Sequence, residues 1–290
     1  MVSPDLFSLM PVAAPSLSRS QSASDSHTPL LEVAQDLPAS QQDLPVLQGQ
    51  AAGQAAAIIP SADREGAVQS HLSPWLSACV YPLGQKLVLP SYFGKIQVIG
   101  QENLPKTGSV ILAPTHRSRW DAIMVPYAAG YQVTGRHLRF MVTQDEMRGL
   151  QGWFIRRLGG FPVDTRRPSV ASLRHGIELL HQGEMVVIFP EGGGLLDNRR
   201  CLLNRLHPGL ARLAIQAVTS QPSNPVQVVP IAIDYERFNI NWGCPVTIRI
   251  GEAMSVSSYI TGNSKKDAKR LTEDLGSRLR SLSHNRFAVN

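Results

Sequence analysis

A histidine and an aspartate lie close together directly after an apolar stretch that ends at Ala113. The segment from Thr115 to Asp121 reads Thr-His-Arg-Ser-Arg-Trp-Asp. On a continuous helix, residues five positions apart point about 140° away from each other, so His116 and Asp121 can pair only if the chain turns between them. Ser118 would provide that turn as a helix N-cap, with the aspartate three residues later as in a capping box.

This turn would place His116 on the loop that enters a helix. A carboxylate in the first helical turn would hold one imidazole nitrogen and leave the other basic and directed toward a substrate hydroxyl. The alternative, which this block alone leaves open, is a plain helix cap with an incidental histidine.

A second block, from Gly159 to Arg167, combines two glycines, an acid and two arginines. Arginine presents a planar fork that matches phosphate oxygens, so Arg166 and Arg167 are predicted to clamp a phosphate. Pro168 suits the first position of the next helix, whose positive end would favour an anion. A solvated charged face is the alternative.

The third block is Phe-Pro-Glu-Gly-Gly-Gly, from Phe189 to Gly194, and it closes an apolar stretch. A carboxylate at the end of a buried strand, followed by glycines, indicates a site that needs close backbone approach. Glu191 is predicted to accept hydrogen bonds from a glycerol hydroxyl or to steady the arginine clamp. A glycine-rich turn with a solvent-facing glutamate is the alternative.

The elements around these blocks alternate between short β-branched runs and longer helical periods, which is typical of an α/β domain. We predict one layered domain with a mixed, mostly parallel central sheet. The predicted strands are 95–99, 109–113, 139–143, 185–189, 226–234 and 246–250, and the predicted helices are about 119–129, 144–158, 168–182, 208–218 and 265–283. A fourth block, Val228 to Ile233, carries Pro230 inside an apolar strand, which predicts a bulge or an edge position.

The first part of the chain has a different composition. Residues 1–70 are rich in Ser, Ala, Gln and Pro and are predicted to be a disordered tail, whose acids argue against a secretory or transit signal. Residues 71–93 are apolar but interrupted by prolines, too short for the about 20 apolar residues of a membrane span. They are predicted to be an amphipathic interfacial segment; an ordinary first helix covering the core is the alternative. Residues 94–290 then form the predicted domain.

The net charge of +6 hides an asymmetry. Residues 1–70 hold seven acids and two bases, which leaves 26 Lys and Arg against 15 Asp and Glu in residues 71–290. That part should prefer anionic partners, and without nucleic-acid motifs or stacking aromatics we expect lipid headgroups or small phosphates instead. The three cysteines lack zinc-site spacing, so no metal is expected.

Taken in order, the four blocks resemble the acyltransferase family that includes bacterial 1-acylglycerol-3-phosphate acyltransferases. The family patterns are N-H-x-S-x-x-D, G-x-F-x-V/I-D-R, F-P-E-G-T-R-S and V-x-P-I/V-x-I, and they correspond here to 115–121, 160–166, 189–193 and 228–233. The resemblance implies that His116 is the general base and Asp121 its orienting partner. The predicted substrate-binding residues are Ser118, Arg166, Arg167, Glu191, Gly192 and Gly193. The chain departs from the patterns at Thr115, Thr165 and Gly193–Gly194.

The implied reaction is acyl transfer from acyl-CoA or acyl carrier protein to a hydroxyl of 1-acylglycerol 3-phosphate, giving phosphatidic acid in phospholipid biosynthesis. No cofactor is implied beyond the acyl thioester, and the implied location is the cytoplasmic face of a membrane, with peripheral or monotopic attachment. Glycerol 3-phosphate or another lysophospholipid is the alternative acceptor. A lipid- or acyl-carrier-binding module without turnover is the alternative outside catalysis.

Overall fold

The computed structural model describes residues 70–164, 169–191 and 194–284. Residues 1–69 of the predicted tail, Arg166 and Arg167, and Gly192 and Gly193 lie outside these residues. The α-helices are α1 Pro74–Leu83, α2 Leu89–Tyr92, α3 Asp121–Ala129, α4 Tyr131–Thr134, α5 Gly149–Arg157, α6 Val170–His181, α7 Leu195–Arg200, α8 Gly209–Ser220 and α9 Ser264–Leu282. The strands are β1 Ile96–Ile99, β2 Ser109–Pro114, β3 Leu138–Thr143, β4 Gly160–Val163, β5 Met185–Val187, β6 Val226–Tyr235, β7 Val246–Ile250 and β8 Met254–Ser255.

Within the described residues, these strands form one sheet in the order β1-β7-β6-β2-β5-β3-β4, with β8 paired to β6. β2 lies at its centre, parallel to β5 and to β6. The antiparallel pairs are β6 with β7 and β6 with β8, and the other pairs are parallel. The predicted mixed, mostly parallel α/β sheet is therefore confirmed.

Both faces of the sheet are covered. Successive residues of a strand point to opposite faces, so neighbouring residues pack in different layers. On β2, Ile111 and Ala113 belong to a core cluster with α6, α8 and α9. Val110 and Leu112 belong to a second cluster with α2 and α3. A strand buried on both faces is continuously apolar, which is why β2, β5 and β6 were recognisable from sequence.

The structure differs from the prediction in one helix and one strand. The helix predicted over 144–158 is divided into a 3₁₀ turn, Gln144–Met147, and α5, because Gly149 has a φ of 59° in the left-handed region. The strand β4 was missed because Gly-Phe-Pro-Val lacks a β-branched run. It lies at the end of the sheet order, and an edge strand tolerates a proline.

The bulge or edge position predicted at Pro230 was also wrong. Neither a bulge nor an edge strand is found, since β6 runs unbroken from Val226 to Tyr235 between β2 and β7. The proline faces the gap between β7, which ends at Ile250, and β8, which begins at Met254. Its carbonyl accepts a hydrogen bond from the Gly251 N–H in that gap, at 2.9 Å. The missing proline donor therefore removes no bond from a sheet ladder.

The chain from Pro74 to Tyr92 is one continuous N-terminal helix, made of α1, a π-helical segment Gly84–Val88 and α2. One face packs on the body, with Leu89 fully buried and the Gln85 side chain donating to the Pro126 carbonyl at 2.9 Å. Large apolar side chains lie exposed away from this contact: Trp75, Leu83 and Leu87. None of the helices in the described part of the chain is long and apolar enough to cross a bilayer.

Candidate active site

Three neighbouring strands bring the first, third and fourth blocks together. β2 leads into His116, β5 leads into Glu191, and β6 ends at Tyr235. β5 and β6 each lie parallel to β2, so their carboxyl ends meet at one edge of the sheet, where binding sites of such folds are found. The site therefore lies at the carboxyl ends of three buried strands.

His116 and Asp121 form the predicted contact. The His116 Nδ1 lies 3.1 Å from the Asp121 Oδ2, and the chain turns between the two residues. Because a carboxylate only accepts, this contact fixes the neutral imidazole with its proton on Nδ1 and leaves Nε2 as the base. The His116 side chain is 32% exposed whereas that of Asp121 is fully buried, so a substrate can reach the imidazole and not the carboxylate.

The Asp121 carboxylate is held by donors on both oxygens. Oδ2 also accepts from the backbone N–H groups of Arg117 at 2.6 Å and Ser118 at 2.8 Å. Oδ1 accepts from the Tyr235 hydroxyl at 2.7 Å. Burial and then the Asp121 charge raise the pKa of Tyr235 well above its ordinary value, so that hydroxyl keeps its proton. The carboxylate is fixed in one orientation, and the imidazole with it.

Ser118 forms half of the capping box expected for it. Its N–H donates to the Asp121 carboxylate as in that motif, but α3 begins at Asp121 with Trp120 as N-cap. The Ser118 hydroxyl instead accepts from the Trp120 N–H at 3.3 Å. Residues 119 and 120 form a turn, which is why the helix begins later than predicted.

A buried ion pair joins the first and third blocks. The Arg117 Nη1 donates to both carboxylate oxygens of Glu191, at 2.9 and 2.7 Å. The two side chains are 3% and 0% exposed. Glu191 also accepts from the backbone N–H groups of His116 at 3.3 Å and Asn204 at 3.1 Å. These protein donors surround the carboxylate that was predicted to bind a glycerol hydroxyl.

Two asparagines connect the segment after Glu191 to the histidine loop. The Asn198 amide donates to the His116 carbonyl at 3.0 Å, and the Asn204 amide donates to the Asn198 side-chain oxygen at 2.9 Å. Asn198 is fully buried. The backbone of His116 is thus held on one side by Glu191 and on the other by Asn198, so the third block supports the histidine directly.

Of the predicted arginine clamp, Arg166 and Arg167 lie outside the described residues. The neighbouring β4 is described and pairs with β3 at the far end of the sheet order. Arg199, on α7 after the third block, donates to the Phe238 carbonyl at 2.9 Å and lies over the Phe238 ring. Arg200 is exposed.

Sequence reasoning did not single out Arg117, Tyr235, Asn198 or Asn204. Tyr235 could have been found, since it ends an apolar strand parallel to the one before His116, and such strands share their carboxyl edge. Arg117 occupies an unspecified position of the first motif. The asparagines lie in a segment with no regular period, and no sequence signal pointed to them.

A sequence model of acyltransferases matches residues 95–234, which include all four blocks and the His116–Asp121 pair. This region belongs to the acyltransferase family. The family predicted from the order of the four blocks is thereby confirmed, and so is its enzymatic class.

The relatives of this acyltransferase include enzymes with two different names. A 1-acyl-sn-glycerol-3-phosphate acyltransferase of Bacillus subtilis is 26% identical over 203 residues, covering 68% of this chain and 92% of that protein. A glycerol-3-phosphate acyltransferase of Alteromonas mediterranea is 28% identical over 176 residues, but this chain spans only 18% of its length.

The acyltransferase fold is also found in a crystal structure, that of the 1-acyl-sn-glycerophosphate acyltransferase PlsC from Thermotoga maritima. The TM-score is 0.51 at 21% identity, with 70% of this chain and 78% of that chain covered. At this identity the similarity shows a common fold.

Proposed function

We propose that this acyltransferase transfers a fatty acyl group from an acyl thioester to the free hydroxyl of 1-acylglycerol 3-phosphate, giving phosphatidic acid. The observation that carries the proposal is the His116–Asp121 contact, in which a buried carboxylate orients a partly exposed imidazole. The Bacillus relative, of which this chain covers 92%, supports the choice of acceptor.

In the proposed reaction the Nε2 of His116 removes the proton of the acceptor hydroxyl as its oxygen attacks the thioester carbonyl carbon. The carbon–sulfur bond then breaks, and the thiolate leaves and takes up the proton from the imidazolium. A thiol of this kind has a pKa of about 8.5, so it leaves without a strong general acid. Asp121 stabilises the imidazolium that forms, and general-base catalysis of this kind contributes about 10² to 10⁴ in rate.

The acceptor carries a phosphate, which needs a cationic partner. Arg166 and Arg167 are the residues we assign to it, since arginine binds phosphate through a bidentate fork. Gly192 and Gly193 follow Glu191 and would let the acceptor approach the backbone closely. Ser118 is assigned to the same acceptor site. Acyl-CoA and acyl carrier protein are the proposed donors, and the excess of cations in residues 71–290 would suit the anionic groups of either.

The acceptor is a lipid, and the N-terminal helix offers a surface for meeting it. Its exposed face presents Trp75, Leu83 and Leu87, and residues 66–101 contain no Asp or Glu. A helix with an apolar exposed face and no acids is suited to lie in the headgroup region of a bilayer. We therefore propose peripheral or monotopic attachment to the cytoplasmic face of a membrane.

The deciding experiment measures transfer from labelled acyl-CoA and acyl carrier protein to lysophosphatidate and to glycerol 3-phosphate. Wild type, His116→Ala and the matched control His181→Ala are compared. Transfer that only the His116 variant loses supports both the reaction and the base. No transfer to either acceptor by the wild type would refute the proposed reaction.

Glycerol 3-phosphate is the second candidate acceptor, because the relatives include glycerol-3-phosphate acyltransferases. Both acceptors present a hydroxyl and a phosphate, so the same base and clamp would serve. Preferential acylation of glycerol 3-phosphate in the assay above would favour this alternative.

The clamp has its own test. Arg166→Ala and Arg167→Ala are expected to raise the KM for the acceptor, with kcat little changed, because they remove binding and not the base. Arg174→Ala, an exposed arginine on α6, is the control. An unchanged acceptor KM in both clamp variants would remove the assignment.

A further inference from the structure

The helix α5 has an apolar face that points to solvent. Leu150, Trp153 and Phe154 are 73%, 40% and 39% exposed. Their spacing of three and four positions places them on the same side of the helix. The opposite side packs inward, with Gly152 buried and Ile155 beside Gly160. A surface helix normally turns its apolar side to the core, so this face needs another explanation.

Arginines outnumber acids around this face, where Asp145 pairs with Arg148 at 3.2 Å and Glu146 accepts from the Gln151 amide at 2.6 Å. Residues 148–158 include three arginines and no Asp or Glu. The Arg157 guanidinium lies 4.6 Å from the centroid of the Trp153 ring, at the end of the apolar face. Leucine and aromatic residues bordered by arginines are typical of a helix that lies at an anionic bilayer surface.

This face adjoins the N-terminal helix. The Ser73 N–H donates to the Arg157 carbonyl at 2.8 Å, and the Tyr81 hydroxyl donates to the Leu158 carbonyl at 3.3 Å. The start of α1 is therefore attached to the end of α5. Trp75, in the first turn of α1, is 63% exposed.

We propose that α5 is a second membrane contact, and that its partner is a bilayer with anionic headgroups. Leu150, Trp153 and Phe154 enter the boundary between headgroups and acyl chains, while Arg156 and Arg157 contact lipid phosphates. This inference rests on the proposed function, which places the acceptor in a membrane. The net positive charge around the face favours an anionic lipid surface over a second copy of this chain, whose corresponding face would carry the same net charge.

The test is flotation of the full chain with vesicles of phosphatidylcholine, with and without phosphatidylglycerol. The combined variant Leu150→Ser, Trp153→Ser, Phe154→Ser is expected to lower the partition coefficient about tenfold or more, because three apolar side chains lose their lipid contact. Ile99→Ser with Ile260→Ser is the control, since both side chains are exposed and Ile99 lies on β1, at the opposite end of the sheet order from β4.

A second variant tests the charge. Arg156→Gln is expected to lower binding to anionic vesicles about fivefold and to leave binding to pure phosphatidylcholine unchanged. Unchanged flotation of the triple variant, with its circular dichroism and Tm like those of the wild type, would overturn the proposal. So would a lower oligomeric mass of the triple variant with flotation unaltered, because that outcome identifies a second copy of the chain as the partner.

The proposed function can fail separately from this inference. With short-chain lysophosphatidate below its micelle concentration and no vesicles, the triple variant should transfer acyl groups at the wild-type rate. A wild type without transfer activity, together with reduced flotation of the triple variant, would refute the reaction and support the membrane contact.

Discussion

The ion pair between Arg117 and Glu191 should act as one unit in the stability of the fold. Both side chains are almost fully buried and their charged atoms approach to 2.7 Å. At an effective dielectric constant of about 20, two unit charges about 4 Å apart attract by about 4 kcal/mol. Removing one partner leaves the other charge buried without compensation, which costs about 3–5 kcal/mol. Arg117→Met and Glu191→Leu should each lower the free energy of unfolding by that amount.

The double variant should cost far less than the sum of the two single variants, because no buried charge remains in it. A coupling energy of about 3 kcal/mol is expected from urea unfolding of the four proteins. The exposed pair Arg119–Glu146, whose atoms are 3.2 Å apart, is the matched control and should give a coupling energy below about 1 kcal/mol. Additive single effects at Arg117 and Glu191 would refute the reasoning.

Three further predictions concern groups around the site. Asp121→Asn should lower kcat about 10² to 10⁴ with little change in either KM, because His116 loses its orienting partner; steady-state kinetics with kcat unchanged would contradict this. Tyr235→Phe leaves a buried carboxylate oxygen without its donor and should cost about 1–3 kcal/mol in urea unfolding, so an unaltered midpoint would count against it. Burial raises the pKa of Asp234 despite Arg249, and a carboxyl whose pKa is higher in the folded state stabilises the fold while protonated. The unfolding free energy of wild type minus that of Asp234→Asn should therefore fall as the pH rises from about 4, and a difference that stays constant or rises with pH would disprove the assignment.

The sheet was predictable because a strand buried on both faces has a continuously apolar sequence. β2, β5 and β6 are unbroken apolar runs, and their places between helical periods gave the fold class. Pro230 was misjudged because a local sequence rule has no information about where the neighbouring strands end. β7 stops and β8 begins opposite that residue, which depends on pairing between distant parts of the chain.

The contact of His116 with Asp121 was predictable because both residues lie within one turn of chain. The partners that hold them were not, since the distances along the chain are large. Tyr235 reaches Asp121 across 114 positions, and Arg117 reaches Glu191 across 74. The roles of Arg166 and Arg167 remain predictions from the sequence.

The packing of the N-terminal helix against the core limits how its proposed membrane role can be tested. Leu89 and Phe93 are buried in the core, and Tyr92 stacks on Trp120 with ring centroids 4.7 Å apart, directly before Asp121. Deleting residues 71–93 would therefore open the core beside the catalytic carboxylate as well as remove the exposed face. A truncated protein that failed to float could simply be unfolded, so substitutions at Trp75, Leu83 and Leu87 are the way to separate attachment from folding.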